Sequence, residues 1–274
     1  SDYASTNFLG TAKLAEFWLK NDSCGMTLAS SRSVYGNGTA TCEEHGKHFL
    51  DNIKLVEPFF LNPPKCPKCG INLCYSSSHE DDQLFPQSVY ATTKLSQELL
   101  LKNVQSNRIL NTYRFQNVYG EGQALHNPYT GILAIFLNRL AKKQPVEIFE
   151  RGLPVRDFIH VNDVIDILVK TFEQKVGILN VGTGVATSIE KIARKYCEFL
   201  ELDEINYTSV TNRYRSGDVF HCVSDNEKLS SVIGRYEFTD FDVGLRSFFD
   251  ASVVEVSNGV EIEYRKSIGK LEQS

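Results

Sequence analysis

The apolar positions of this chain change period several times. From Asn7 to Lys20, Phe8, Leu14, Phe17 and Leu19 recur at roughly helical spacing, and Met26-Thr27-Leu28-Ala29-Ser30-Ser31 follows as a short apolar run closed by small hydroxyl residues. The first pattern predicts a helix, the second a buried parallel strand whose carboxyl end opens on a site. Residues 37–86 break the rhythm with Gly, Asn, Pro and Cys over a stretch longer than ordinary loops, and read as an insertion. Alternation then resumes. A helix is predicted over 88–107, a strand over 109–115, a helix near 130–143, strands at 146–149 and 157–161, a helix over 162–174, a strand at 177–181 and a helix over 187–200. Strands alternating with helices of this length indicate an α/β layered fold.

Composition narrows the setting. With 274 residues, 42% hydrophobic and 23% charged, the chain can bury a full core and is neither a disordered tail nor a disulfide-stapled miniprotein. No apolar run approaches the roughly 20 residues that span a bilayer. Asp2, Lys13, Glu16 and Lys20 stand where a signal peptide would need an apolar segment, so no membrane partner and a cytoplasmic location are expected. A formal charge of −5 argues against a protein that coats nucleic acid. Of seven cysteines, four crowd into residues 42–74, which suggests a metal before a disulfide framework.

Candidate chemistry begins at Tyr90-Ala91-Thr92-Thr93-Lys94, which sets a phenol and an ammonium four residues apart on one face of the 88–107 helix. A cation one turn away favours the phenolate and makes the side chain a usable general base. On these residues alone, a solvated helix face competes with that reading. Ser31 closes the preceding strand at the mouth where doubly wound sheets place ligands, and a serine-rich turn is its plain alternative. Arg114 near the end of the 109–115 strand, and Arg156, Arg213 and Arg215 further on, offer guanidinium groups that clamp diphosphates bidentately.

Seven ordered motifs then carry a resemblance: NxxGT at Asn7–Thr11, SSxxVYG at Ser30–Gly36, YxxxK at Tyr90–Lys94, RxxNVYG at Arg114–Gly120, RDFIHVxD at Arg156–Asp163, NVGTG at Asn180–Gly184 and RxGD at Arg215–Asp218. The set resembles the extended short-chain dehydrogenase/reductase family, and within it the NAD-dependent nucleotide-sugar epimerases and dehydratases. The resemblance runs from Asn7 to about residue 245. It implies a doubly wound, Rossmann-like parallel sheet with a smaller carboxyl-terminal substrate-binding α/β part. It further implies Tyr90 as general base, Lys94 holding the nicotinamide ribose, and Ser31 bonding the reacting hydroxyl. Asn7, Ser30 and Phe115 would line the NAD site with Tyr90 and Lys94. Asn117, Arg156, Arg215 and Asp218 would hold the nucleotide-diphosphate sugar beside Ser31. A homodimer through the YxxxK helix and its neighbour is the family's habit. Dehydratases of this kind carry an Asp-Glu pair after the catalytic hydroxyl residue, for elimination across C5 and C6; this chain has Arg32 and Ser33 there, which favours epimerisation at C4.

Within the insertion, Cys42-Glu43-Glu44-His45 and Cys66-Pro67-Lys68-Cys69-Gly70 form CxxH and CxxC halves with the spacing of a tetrahedral zinc knuckle, and His48 and Cys74 are spare ligands. A redox dithiol or an unmetallated loop are the competing readings. Such an insertion, together with the segment running on from Arg114 through Glu121 to Ile132, looks most like the dTDP-L-rhamnose 4-epimerases, which interconvert dTDP-L-rhamnose and dTDP-6-deoxy-L-talose; a UDP-glucose/galactose type stays open. Glu121 departs from the family's usual proline.

The GxxGxxG turn that binds the NAD pyrophosphate does not occur, so the Rossmann part reads as N-terminally truncated by about three βα units. The expected division is 1–36 with 87–125 as the remaining NAD-binding part, 37–86 as the zinc-knuckle insertion, 126–255 as mainly substrate-binding with a return to the Rossmann sheet near 157–181, and 256–274 as a polar tail. The strand at 26–31 would then form an uncovered edge. Three functions remain: a 4-epimerase, a non-catalytic remnant that binds a nucleotide sugar or a partner, and an NAD(P)-dependent reductase or dehydratase.

Overall fold

The computed structural model describes residues 2–21, 25–104, 108–125 and 131–257. The expected tail lies almost wholly outside them, as does Cys24. The first turns, a π-helical stretch over Ala4–Leu9, run into α1 (Gly10–Leu19), which leads to β1 (Met26–Ser31). The insertion contributes β2 (Thr39–Cys42), β3 (Gly46–Phe49) and β4 (Cys74–Ser76), and α2 (Val89–Val104) and β5 (Leu110–Phe115) follow it. Next come β6 (Asn117–Tyr119), α3 (Ile132–Ala141), β7 (Val146–Ile148), β8 (Val155–His160), α4 (Val161–Thr171) and β9 (Ile178–Val181). The chain continues through β10 (Ala186–Ser188), α5 (Ile189–Phe199), α6 (Glu204–Tyr207), β11 (Thr208–Val210), β12 (His221–Cys222), α7 (Glu227–Ile233) and α8 (Phe241–Ser257).

The central sheet is parallel, in the order β1-β5-β9. Strand alternation sends Leu28 and Leu110 to one face, where they meet Ala15 and Trp18 of α1 and Leu101 of α2. Tyr113, Leu179 and Val181 face the other way, against Val164 and Ile167 of α4 and Leu229 of α7. Helices thus cover both faces, the doubly wound arrangement the sequence predicts. Among the described residues β1 pairs with β5 alone and forms one edge of this sheet.

Two results differ from the pattern reading. The apolar stripe that marks α1 points outward, with Leu14 60% and Phe17 63% exposed, while the helix packs through Thr11, Ala15 and Trp18. The return to the central sheet falls on residues 178–181 only; β8 leaves it and organises a second sheet with β6, β10 and β12. That second sheet and the two-stranded β11-β7 sheet adjoin a large apolar core built from α3, α5 and α8. The insertion folds as an antiparallel sheet in the order β3-β2-β4 over a small cluster of Ala40, Cys42, Leu50, Cys66 and Leu73.

Register aligns the carboxyl ends of the central strands. Ser30, Arg114 and Asn180 lie side by side, and one step on so do Ser31, Phe115 and Val181. Asp157 is fully buried beneath this mouth and accepts from the Thr183 amide and hydroxyl, the Gly184 amide, and the Ser224 amide and hydroxyl. It thereby ties the loop after β9 to the segment after β12. Glycine at position 182 is a steric necessity, because a Cβ there would lie 2.4 Å from the Asp157 carboxylate, the Gln116 side chain and the Ser224 hydroxyl alike.

Candidate active site and metal cluster

Period-two alternation at the end of β1 separates two adjacent serines. Ser30 turns inward and donates to the Glu98 carboxylate, whereas Ser31 opens on a cleft at the sheet's carboxyl edge and its hydroxyl caps the following turn, accepting from the Ser33 amide at 3.2 Å. The same cleft, about 880 Å³ in volume, is lined by Tyr3, Tyr90, Arg32, Ser33, Gln116, Asn117 and Gln123. Tyr90 reaches it from the first turn of α2, its ring edge-on to Tyr3 at 5.4 Å. One turn on, Lys94 holds its ammonium 5.8 Å from the Tyr90 ring centre and donates to the Ala29 carbonyl at 2.9 Å. Burial pulls the Lys94 ammonium below the ordinary lysine range. It has no carboxylate partner among the described residues, which leaves donors for a hydroxyl ligand.

Of the other residues expected at the NAD side, Asn7 donates to the Thr93 hydroxyl at 3.0 Å, and its carbonyl accepts from Gln97. It stitches the first helical turns to α2. Phe115 packs into the core beside Tyr113, with ring centres 6.2 Å apart. The structure therefore brings Ser31 and Tyr90 to one cleft with Lys94 behind them, and sets Asn7, Ser30 and Phe115 in packing and hydrogen-bonded roles around it.

A second cleft of about 380 Å³ shares Asn117 with the first. Its walls include Arg156, Arg215, Asp218, Arg139, Phe149 and Glu150. Arg156 is buried and pairs with Asp218 at 2.9 Å. Burial, together with the nearby Arg32, pushes the Arg156 guanidinium below its usual range, against the pull of Asp218. An anion in this cleft would relieve that cost. Arg215 lies over the Phe149 ring at 6.0 Å. All four residues expected to hold a nucleotide diphosphate thus meet in one cavity. Two arginines of the sequence motifs do not join them: Arg114 is buried against Glu98, and Arg213 pairs with the Glu147 carboxylate near the surface. Glu150 and Phe149 escape sequence reasoning, because they enter through a tight turn in which Glu150 and Arg151 adopt positive φ.

In the insertion, Cys42, His45, Cys66 and Cys69 converge so that their ligand atoms lie within 4.8 Å of one another. The Cys42 and Cys69 sulfurs are 3.7 Å apart, and His45 Nδ1 is 3.6 Å from both Cys42 and Cys66 Sγ. A tetrahedron with Zn–S of about 2.3 Å and Zn–N of about 2.0–2.1 Å has edges of about 3.8 and 3.5 Å. The donor set and its spacing fit that ion. His48 approaches Cys66 at 3.6 Å as a neighbour of the cluster, while Cys74 is exposed and outside it.

The NAD dependent epimerase/dehydratase family matches residues 69–182. The chain is 31% identical over 245 residues to a dTDP-L-rhamnose 4-epimerase of Burkholderia thailandensis, covering 85% of this chain and 64% of that enzyme. MoeE5, solved in complex with UDP-glucuronic acid and NAD, aligns with a TM-score of 0.69 at 26% identity over 92% of this chain and 73% of that one. A UDP-glucose 4-epimerase of Thermotoga maritima, solved with UDP-glucose, shares the fold with a TM-score of 0.70 at 23% identity, over 92% and 71% of the two chains. The ordered motifs, the doubly wound sheet and these likenesses agree: residues 69–182 match the NAD dependent epimerase/dehydratase family, and the chain spans a little under two thirds, 64%, of the length of its Burkholderia relative.

Proposed function

We propose that this chain carries the catalytic pair and the nucleotide-sugar clamp of a 4-epimerase that works by transient oxidation at C4. The observation that carries the reading is the junction of two clefts at Asn117: Ser31 and Tyr90 line one, Arg156, Arg215 and Asp218 the other. A nucleotide diphosphate held by the arginines would point its sugar at Tyr90. Ser31 would hydrogen-bond the C4 hydroxyl while the Tyr90 phenolate takes its proton, and Lys94 would bind the nicotinamide ribose and favour the phenolate. Bound NAD supplies the hydride acceptor. After the keto sugar turns its other face, the hydride would return to C4 on that face and Tyr90 would give the proton back to the C4 oxygen, so the cycle has no net redox change. Among the described residues no carboxylate lines the catalytic cleft, which favours epimerisation over elimination of water.

The rhamnose/talose pair is the preferred substrate within this proposal, on the strength of the Burkholderia relative, with the UDP-glucose/galactose pair second. NAD would be held by Tyr90 and Lys94, with the parts 1–36 and 87–125 forming its side of the site and 126–255 the sugar side. Pairing of two copies through α1 and α2 would cover exposed Leu14, Phe17 and Leu99. A convergence of unpaired thiols suits a reducing, cytoplasmic setting.

Incubation with NAD and dTDP-L-rhamnose tests the proposal. The 4-epimer is expected to form without accumulation of NADH; NADH accumulating with product would mark a net oxidoreductase, and absence of both binding and turnover a non-catalytic remnant.

Zinc is the proposed occupant of the Cys42-His45-Cys66-Cys69 cluster, as a structural ion. About one zinc per chain is expected in purified protein by elemental analysis, falling to background in Cys66→Ser. Because little apolar core backs the insertion, chelation is expected to release its amides over 39–76 to hydrogen exchange while those of β5 stay protected. Unchanged exchange after complete metal removal would show that the insertion folds without it.

A further inference from the structure

The insertion does not simply project into solvent. Its edge grips the segment that bears Arg215 and Asp218. The Glu57 carboxylate accepts the Gly217 amide at 2.8 Å, in the middle of the Arg215-Ser216-Gly217-Asp218 turn. The Tyr75 ring stacks on His221 with centres 5.4 Å apart and an interplanar angle of 13°, and lies 5.3 Å from Phe220; Phe59 meets Phe220 edge-on at 6.4 Å. Just past β4, the Ser78 amide donates to the Val223 carbonyl and the Ser78 carbonyl accepts from Asp225, each at 2.9 Å. Next to the cleft residue Glu150, Arg151 lies over the Phe60 ring of the insertion at 5.4 Å. Burial and, to a lesser degree, the carboxylates of Asp218 and Glu57 raise the Glu150 carboxyl above its ordinary value against the pull of Arg156.

These contacts have a common support. Tyr75 and Leu55 pack on the small cluster whose buried members include Cys42 and Cys66, two of the four metal-ligating candidates. Five buried side chains, two of them thiols, are too little core to fix Glu57 and Tyr75 unaided.

We infer that the metal-held insertion is a positioning element for nucleotide-diphosphate binding: it presents Glu57, Phe59 and Tyr75 to residues 217–221 and so sets Arg215 and Asp218 in the cleft. The inference rests on the nucleotide-sugar reading above. Glu57 is a positioning residue, acting through the Gly217 amide. Gly217 has φ of 76°, a conformation that favours glycine, and the Asp218 amide closes the turn on the Arg215 carbonyl at 3.2 Å, so Glu57 is the acceptor that ties an already formed turn to the insertion.

Calorimetric titration of dTDP and of UDP into the wild type, the metal-stripped protein, Glu57→Ala and Glu57→Gln tests it. Glu57→Ala is expected to weaken binding about five- to tenfold with zinc content unchanged. Glu57→Gln, whose amide oxygen still accepts, should stay within about twofold, and metal removal should weaken binding at least as much as Glu57→Ala. Hydrogen exchange at 217–221 should quicken in both weakened forms. In turnover, Glu57→Ala should raise KM and leave kcat within about twofold. Wild-type affinity in Glu57→Ala and in the metal-stripped protein overturns the inference alone; failure of the wild type to bind either nucleotide overturns the nucleotide-sugar reading and this inference with it.

Discussion

Tyr90→Phe is expected to lower 4-epimerisation by about 10²–10⁴-fold, the usual contribution of a positioned general base, and to leave the affinity for dTDP or UDP within about twofold. The substitution removes one hydroxyl and nothing else. The remaining ring keeps its edge contact with Tyr3 and its place beneath the Lys94 ammonium, so α2 has no reason to shift. The diphosphate clamp of Arg156, Arg215 and Asp218 belongs to the neighbouring cleft, and Tyr90 does not line it. Rates of 4-epimer formation set beside calorimetric affinities separate the two effects. Turnover retained in Tyr90→Phe would remove Tyr90 as the base, and lost nucleotide binding would show that the ring serves structure.

How far the site could be read in advance depended on the range of the interaction that fixes each residue. Tyr90 and Lys94 were legible because four-residue spacing on a helix is local geometry. The CxxH and CxxC halves were legible for the same reason, each half being one tight turn, although only the fold brings the halves together. Ser30 and Ser31 show where local reading stops: one residue of strand register sends the first to Glu98 and the second to the cleft. Asn7 and Phe115 lie near the expected place in sequence, but their partners, Thr93 and Tyr113, come from packing that spacing does not encode.

The fold divides similarly. β1, β5, β9 and the long helices have enough residues to show a period. β6, β10 and β12, two or three residues each, exist because β8 offers them a partner, and no period can be read in so short a run. The outward stripe on α1 is the instructive case. Its helical spacing predicted the element correctly while its orientation reverses the usual rule that the apolar face packs inward, since Trp18 and Ala15 make the contacts with the sheet. Glu57 had no signal at all, because its importance comes from a turn some 160 residues away along the chain.

Glu98→Ala is expected to destabilise the protein by about 3–5 kcal/mol, the cost of leaving a buried charge without its partner. Arg114 is only 1% exposed, and its guanidinium meets both Glu98 oxygens, at 3.1 and 2.8 Å. A third guanidinium nitrogen donates to the Tyr35 hydroxyl and the Glu80 carbonyl, each at 2.9 Å, and Tyr35 in turn donates to Asn180 at 2.7 Å. The network joins α2, all three strands of the central sheet and the end of the insertion. Burial opposes the Arg114 charge, but its bonds to Glu98 and Tyr35 outweigh it and hold the group more firmly protonated than a free arginine. Removing the carboxylate leaves that charge in place with its compensation gone, and also orphans the Ser30 hydroxyl. Replacing both partners by apolar residues, Glu98→Leu with Arg114→Met, should cost less than either single change, because no unpaired charge remains. Urea unfolding of the two single variants and the double variant checks this. Additive losses would mean that the ion pair is not the unit holding β1 against β5, and that the alignment of Ser31 with the cleft is secured elsewhere.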